Sequence, residues 1–276
     1  MSVVAVQAPV NQSILLNGGG TSDDNRIKIA MLQNSDTQST AANVGATPWT
    51  IEGWINATSA NTMPALAGGA SYSDLVTGIN AFLDNDRYRS QSGYNSYVLG
   101  LAGGVFNFGA DSASGALVLQ GGGDLRGVGG RHWAIQHNPT SGQMDLLVSG
   151  SRVATGTGPA VSLAMPTSPT YQNACGSGAN ASCSFSYPFL VFGAEKHDLN
   201  GGPSGLYPGA YGEITDIRIS NIARYGATYT VPTARLTNDA NTVALWDCTG
   251  SGSTLTATTG PDGTVNNLSR STWSPY

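Results

Sequence analysis

Short runs in which hydrophobic and polar residues alternate recur along most of the chain and predict β-strands. Ile27, Ile29 and Met31 alternate with Lys28 and Ala30, the period of two that places successive side chains on opposite faces of a strand. Further runs cover residues 13–16, 49–55, 97–101, 105–108, 116–120, 132–137, 144–149, 160–164, 185–192, 213–220 and 242–247. Gly, Asn, Ser and Pro fill the gaps between them, so the pattern predicts an all-β sandwich or barrel.

One segment, residues 73–83, departs from the strand pattern and predicts a short surface helix. Its apolar residues share one helical face; they are Leu75, Val76, Ile79, Phe82 and Leu83. Ser73 is the expected N-cap, and Gly78 weakens the helix by roughly 1 kcal/mol.

The strand over residues 213–220 leads into a segment that breaks the alternation and ends at Pro232. Ile217 and Ile219 share a face, and Ile214 is out of phase with them. We therefore expect a bulge or a strand end near Thr215. Proline cannot donate to a sheet ladder, so Pro232 lies outside any central strand.

The stretch 211–232 resembles the last core strand of laminin-G-like, concanavalin-type jelly rolls, in the version found in bacteriophage particle proteins. The matching positions are Gly212, Ile214, Asp216, Ile217, Arg218 and Ile219, followed by Ala223, Arg224, Tyr225, Tyr229 and Pro232. Residues 49–55 resemble an early strand of the same family, and residues 131–153 resemble its central hairpin. Ser149 stands where the family usually has aspartate.

The resemblance implies a concanavalin-like jelly-roll sandwich of two antiparallel sheets, with the helix near 73–83 as an insertion. We expect one domain over residues 13–276, preceded by an extended arm at 1–12. The implied role is a non-enzymatic structural protein on the surface of a phage particle, as a head-associated capsid decoration or a fibre-type adhesin. Its partners would be other virion proteins and copies of itself. A carbohydrate-binding module or lectin is the alternative, with glycans as partners, and a glycoside hydrolase comes third.

Charge and hydropathy exclude several classes of partner. Charged residues make up only 11% of the 276 residues, and 12 Lys and Arg against 17 Asp and Glu give a net charge of −5. Nucleic-acid binding needs a basic face, so it is not expected. No apolar run is long enough to span a membrane. The N-terminus lacks the pattern of a signal peptide, so we expect synthesis in the host cytoplasm and localisation in the virion.

Three cysteines occur. Cys175 and Cys183 bracket a short Gly-, Ala- and Ser-rich loop, where a disulfide and two free thiols are equally good interpretations. Cys248 follows a Leu-Trp-Asp run and is expected to be a buried core thiol.

The carboxylates do not form a hydrolase pattern. Glycoside hydrolysis needs two carboxyl groups roughly 5 to 9.5 Å apart across the scissile bond. The chain has only three glutamates, Glu52, Glu195 and Glu213, and none is followed two residues later by aspartate. Glu213 and Asp216 would face opposite sides of a regular strand. No catalytic residue is therefore predicted.

The histidines do not support zinc. His132, His137 and His197 are the three in the chain, and no zinc-ligand spacing links them to each other or to cysteine. We expect His132 and His137 to be ordinary polar residues of a strand and its turn. The Gly-rich run 121–130 lacks both nucleotide-binding signatures and is predicted to be a loop.

Calcium stays open as an alternative, because the acidic pairs Asp23–Asp24 and Asp84–Asp86 supply hard oxygen ligands. Both pairs also match ordinary turn chemistry, which we favour. No other cofactor is expected.

Asp216 and Arg218 are expected to form an ion pair on one strand face, with Arg224 bracing the turn at Tyr225. A ligand-contact role for these residues is the less favoured interpretation. Five further tyrosines in Gly-rich loops could stack on sugars or fill subunit contacts; they are Tyr88, Tyr94, Tyr171, Tyr207 and Tyr211.

Overall fold

The computed structural model describes residues 13–18, 25–33, 38–42, 44, 47–85, 95–112, 115–138, 141–158, 189–194, 208–249, 252–266 and 268–275. Within these ranges the fold is all-β, with two antiparallel sheets and one short helix. The predicted two-sheet sandwich is confirmed. The arm 1–12, the strand 160–164, the first part of the strand 185–192, Cys175 and Cys183 lie outside the described residues.

The first sheet has eight strands. They are β1 (Ser13–Asn17), β5 (Trp49–Ala57), β10 (Arg131–Asn138), β11 (Gln143–Val148), β12 (Ser151–Thr157), β14 (Tyr211–Ser220), β15 (Thr242–Trp246) and β18 (Ser269–Ser271). Their order is β12-β11-β10-β5-β14-β1-β18, and β15 also pairs with β14. Strands β5 and β14 therefore lie at its centre.

The second sheet also has eight strands. They are β2 (Arg26–Ala30), β6 (Asn80–Asp84), β7 (Asn95–Ala102), β8 (Val105–Ser112), β9 (Gly115–Gly121), β13 (Phe189–Phe192), β16 (Thr254–Leu255) and β17 (Gly263–Asn266). Their order is β16-β17-β2-β13-β6-β7-β8-β9. A separate two-stranded ribbon pairs β3 (Leu32–Gln33) with β4 (Gln38–Ser39).

One hydrophobic cluster fills the space between the sheets. Trp49, Ile51 and Ile55 of β5 are 0–1% exposed, as their shared face in the sequence predicts. Trp133 on β10 packs edge-on against Phe82 of the second sheet, with ring centroids 5.0 Å apart. Because side chains alternate along a strand, residues such as Thr50, Glu52 and Trp54 point to the outer face of the first sheet.

The predicted helix exists but is shorter than its pattern suggests. Helix α1 covers Tyr72–Gly78, and its N-cap is Ser71 rather than Ser73. Ser71 and Asp74 form a capping box, in which each side chain binds the other residue's backbone N–H. The following residues form β6, where a register shift allows both Phe82 and Leu83 to reach the core. That irregular spacing imitates a helical face in the sequence.

Helix α1 packs on the outer face of the second sheet. Tyr72, Leu75 and Val76 form a small second cluster with Val98 of β7. Gly109 on β8 allows this approach, since a Cβ there would lie 2.3 Å from Leu75 Cδ2. In the part of the chain that the structure describes, no helix has the length and apolarity that a membrane crossing requires.

Strand β14 contains the predicted bulge. Its pairing with β5 shifts register between Thr215 and Arg218, and Asp216 has a φ of 50°, in the left-handed region. The extra residue lets Ile214 and Ile217 both lie in the core, although they are three positions apart. The same bulge separates the half of β14 that pairs with β1 from the half that pairs with β15.

The alternation did not reveal every strand. Strand β6 was included in the predicted helix, and β12, β16, β17 and β18 were not predicted. β12 has only Val153 and Ala154 among Ser, Arg, Thr and Gly, so its position is set by pairing with β11.

Candidate functional site

Most of the motif residues meet on the outer face of the first sheet, beneath residues 221–235, which we call the strap. The strap follows β14 and crosses back over β5 and β10. None of its residues is buried. It is therefore held to the sheet mainly by polar contacts, and the ionisable groups beneath it form the candidate site.

Glu52 of β5 is the centre of the site. Its side chain is 0% exposed, and its Oε1 accepts hydrogen bonds from Arg218 Nε at 2.8 Å and Nη2 at 2.7 Å. Its Oε2 lies 3.1 Å from His132 Nε2 and accepts a hydrogen bond from the Tyr225 hydroxyl. Burial raises the pKa of Glu52, but the contacts with His132, Arg218 and Tyr225 outweigh it and lower the pKa.

His132 links Glu52 to a second tyrosine of the strap. Its Nδ1 lies 2.8 Å from the Tyr229 hydroxyl, and its ring packs edge-on against Tyr225 and Tyr229. The two tyrosine rings lie 4.3 Å apart. Burial raises the pKa of the Tyr229 hydroxyl to about 12, and burial together with Glu52 raises that of Tyr225. Both phenols therefore stay neutral and are poor nucleophiles.

Two polar side chains of the sheet bind the strap backbone directly. Thr50 Oγ1 donates to the Ile222 carbonyl at 2.7 Å and accepts from the Arg224 N–H at 3.1 Å. Gln136 Nε2 donates to the Tyr225 carbonyl at 2.7 Å, and Gln136 Oε1 accepts from the Tyr225 N–H at 3.0 Å. These side chains satisfy backbone groups that a neighbouring strand would otherwise bind.

The far edge of the strap pairs with the β11–β12 turn. Arg152 N–H donates to the Ala227 carbonyl at 2.8 Å, and Tyr229 N–H donates to the Gly150 carbonyl at 2.9 Å. An antiparallel bridge joins Ser151 and Thr228. The strap is thus held by residues of β5, β10 and β12 and by the turn between β11 and β12.

Arg224 braces the turn, as predicted. Its guanidinium binds both carboxylate oxygens of Asp239, at 2.8 Å each, and its Nε donates to Ser220 Oγ at 2.5 Å. A third contact reaches Thr242 Oγ1 at 3.2 Å. Arg224 therefore joins the end of β14 to the start of β15.

The predicted ion pair between Asp216 and Arg218 is wrong. Arg218 pairs with Glu52, whereas Asp216 pairs with Arg235 at 3.0 Å and accepts the Leu236 N–H at 3.0 Å. The bulge causes this difference, because it rotates Asp216 out of the alternation that puts Arg218 on the outer face. Asp216 is 0% exposed, and burial raises its pKa to about 6.

Gly212 and Pro232, the other motif residues, have structural positions. Gly212 has a φ of 150°, and a Cβ there would lie 2.3 Å from the Asn56 carbonyl oxygen. Only glycine allows β14 to approach β5 so closely. Pro232 lies in the strap, beyond the end of β14, as predicted.

Glu213 and Asp216 do not form a catalytic pair. Glu213 accepts hydrogen bonds from Asn56 Nδ2 at 3.0 Å and from the Ser271 hydroxyl. Asp216 binds Arg235, and Glu52 is completely buried. Among the described residues, no group of three or more His, Cys, Asp or Glu side chains could hold a metal ion.

The structure also shows where the remaining candidate histidines, cysteine and tyrosine lie. Both His132 and His137 lie within β10, not on a strand and a turn. Cys248 is 0% exposed, as predicted, and burial raises its pKa to about 12. Tyr211 begins β14 and is half-buried against Gly18. The described ranges do not include Tyr88, Tyr94, Tyr171, Tyr207, Glu195, His197, Asp23, Asp24 or Asp86.

Sequence reasoning missed the centre of the site. Glu52 was considered only as a candidate for catalysis, and Thr50, Gln136 and Tyr229 were given no contacts. Glu52 and Gln136 occupy outward positions of β5 and β10, where each is flanked by a buried isoleucine of the core. An outward-facing polar residue on a strand that another segment covers is the one feature of the sequence that could have indicated these two residues.

No protein-family model matches the chain, and no curated protein sequence matches it. Among solved structures, the chain is similar to a Bacteroides ovatus protein proposed to bind carbohydrate, with 11% identity and a TM-score of 0.51. That match covers 96% of this chain and 60% of the Bacteroides protein.

Two other solved structures have lower scores. A heptameric SAP-like pentraxin from Limulus polyphemus has 12% identity over 80% of each chain, with a TM-score of 0.48. Mouse laminin α1 domains LG4-5 have 12% identity over 80% of this chain and 46% of theirs, with a TM-score of 0.45. At these identities the likeness concerns the fold alone, which is a jelly roll of two antiparallel sheets with one short helix.

Proposed function

We propose that this chain is a non-enzymatic structural protein displayed on the surface of a bacteriophage particle, as a capsid decoration or a fibre-type adhesin. Its partners are other virion proteins and further copies of itself. The phage context comes from the resemblance of residues 211–232 to phage particle proteins. The jelly roll provides the rigid module that such a role requires.

The non-enzymatic part of the proposal rests on Glu52, whose carboxylate oxygens are fully engaged by neighbouring side chains. Its two oxygens accept hydrogen bonds from Arg218 and Tyr225 and contact His132, and its side chain has no exposed surface. A general acid or base must reach its substrate directly or through one water. The motif residues instead hold the strap to the sheet.

The position on the particle is tested by locating the protein in purified virions. Quantitative mass spectrometry gives its copy number relative to the major capsid protein, and antibody labelling in electron micrographs gives its location. We expect tens to hundreds of copies on the head for a decoration protein, or a few copies on the tail for a fibre. Purified particles that lack the protein would refute the virion role.

Carbohydrate binding is the second candidate. The fold shared with the Bacteroides ovatus protein, itself proposed to bind carbohydrate, favours it. Tyr225 and Tyr229 of the strap are half-buried, so part of their surface is accessible, and aromatic rings stack on sugars. Binding of the isolated protein to a glycan array tests this candidate separately from its location.

A glycoside hydrolase is the third candidate. Incubation with a panel of polysaccharides should release no reducing ends. Turnover that Glu52→Gln, Glu213→Gln or Asp216→Asn abolishes would contradict the non-enzymatic proposal.

A further inference from the structure

Strand β10 carries two histidines with opposite surroundings. His132 and His137 are five residues apart, so they point to opposite faces of the sheet. His132 is on the outer face, where it meets the Glu52 carboxylate and the Tyr229 hydroxyl. His137 points between the sheets, towards the apolar core.

The ring of His137 is held among apolar groups. Its cross-strand neighbours are Trp49 on β5 and Met144 on β11, which are both 0% exposed. The His137 and Trp49 rings lie 5.8 Å apart, and Trp49 lies 6.1 Å from Tyr97 of the second sheet. Trp49 therefore connects His137 to the opposite sheet.

His137 is 2% exposed, and among the residues that the structure describes neither of its ring nitrogens has a hydrogen-bond partner. The elements packed against it present an indole from β5, a thioether from β11 and, beyond the indole, the neutral phenol of Tyr97, none of which can neutralise an imidazolium. The buried carboxylate of Asp84 on β6 acts on Tyr97 but makes no contribution at His137. Burial lowers the pKa of His137, and no charge contributes to that shift.

We propose that His137 is an acid-sensitive lock between the two sheets at this end of the sandwich. Neutral His137 packs with Trp49, and Trp49 packs with Tyr97. A proton on His137 would place an unpaired charge in this aromatic contact and weaken it. This inference is independent of the proposed function.

The direction of the pH effect follows from proton linkage. A histidine whose pKa is lower in the folded than in the unfolded protein contributes stability that is present above about pH 6.5, the unfolded value. That contribution is lost as the pH falls below about 6.5, and the unfolding constant rises by up to about tenfold per pH unit. Acid should therefore open this end of the sandwich.

Urea unfolding between pH 5 and 8 tests the proposal with His137→Leu and His137→Asn. Both variants remove the titrating group, and Asn retains an unpaired polar group. We expect both to lose the acid-dependent rise in the unfolding constant, whereas only His137→Leu gains stability at pH 8. Asp216 titrates in the same range in every variant and, with its raised pKa, acts in the opposite direction. The effect of His137 is therefore the acid-dependent rise in the ratio of the wild-type to the variant unfolding constant.

Thr264→Ala, at an exposed and uncharged position of the second sheet, is the control, and it should keep the wild-type pH dependence. NMR titration of the wild-type protein should give His137 a pKa below 6.5. At pH 5, backbone amide hydrogen exchange in Trp49–Ala57 and Arg131–Asn138 should be faster in the wild type than in His137→Leu. A His137 pKa at or above 6.5, or an acid dependence that persists unchanged in both His137 variants, would overturn the proposal.

Discussion

The side-chain amide of Gln136 pairs with the backbone of Tyr225 through two hydrogen bonds, one in each direction. The amide thereby acts as a peptide group of an adjacent strand. Asn61 does the same for Tyr211 at the start of β14, with bonds of 2.7 and 2.9 Å. The central strand and its strap are thus held at two points by amide side chains.

Replacing Gln136 with leucine should destabilise the isolated protein. The change leaves the half-buried N–H and C=O of Tyr225 without these partners, and each unsatisfied group costs up to about 1–3 kcal/mol. It also removes the hydrogen bond from Gln136 Nε2 to the Asp145 carboxylate, at 3.0 Å. Chemical denaturation measures the loss. Gln143→Leu is the comparison, because half-buried Gln143 has the same side chain and also donates to the Asp145 carboxylate, at 2.8 Å. It should cost less than Gln136→Leu, because it leaves the backbone of Tyr225 paired.

Tyr225→Ala should lower the unfolding midpoint of the isolated protein. Its hydroxyl donates to buried Glu52, and a hydrogen bond to a charged group contributes about 1.5–3 kcal/mol. Tyr225→Phe should show most of this loss if the hydroxyl is responsible. Unchanged stability together with lost glycan or particle binding would instead support a ligand-contact role.

Ile217→Ala should cost about 2–5 kcal/mol, because it leaves a cavity between the sheets. Ile217 is 0% exposed and follows the bulge directly. Thr264→Ala is a control on a strand of the second sheet, where the side chain is exposed, and it should have little effect. Equal losses in the two variants would contradict the assignment of Ile217 to the core.

The free energy of unfolding of Asp216→Asn, relative to that of the wild type, should increase as the pH rises. The pKa of Asp216 is raised from 3.8 to about 6 by burial, so its favourable contribution is present below about pH 3.8 and is lost as the pH rises through about 6. The contribution of Asp216 to the free energy of unfolding therefore changes by about 3 kcal/mol between pH 3.8 and 7. Urea unfolding of both proteins across this range measures it, and asparagine tolerates the positive φ.

Removal of residues 1–12 should leave the unfolding midpoint unchanged and weaken assembly, if this apolar stretch docks on a neighbouring subunit. Size-exclusion chromatography with light scattering, or incorporation into particles, measures the assembly. A truncated protein that assembles normally would refute the docking role.

The periodicity of the sequence predicted the elements whose two faces differ clearly. Ile217 and Ile219 were assigned to the core from alternation alone, and the phase of Ile214 predicted the bulge. The end of α1 was not predictable in this way, because the spacing of Phe82 and Leu83 suits both a helical turn and a bulged strand. Pairing with β7 decides between them.

Local sequence thus determined the all-β character of the chain, since alternation and turn residues act over a few positions, and the two-sheet jelly roll was what the family resemblance implied. Only the tertiary structure decided the partners of the charged groups. Glu52 and Arg218 are separated by 166 residues, and pairing of β5 with β14 brings them together. The bulge at Asp216 then directs that carboxylate to Arg235 instead of Arg218. A shift of one residue in the register changes which side chains meet, so these contacts follow from strand pairing and could not be assigned from spacing along the chain.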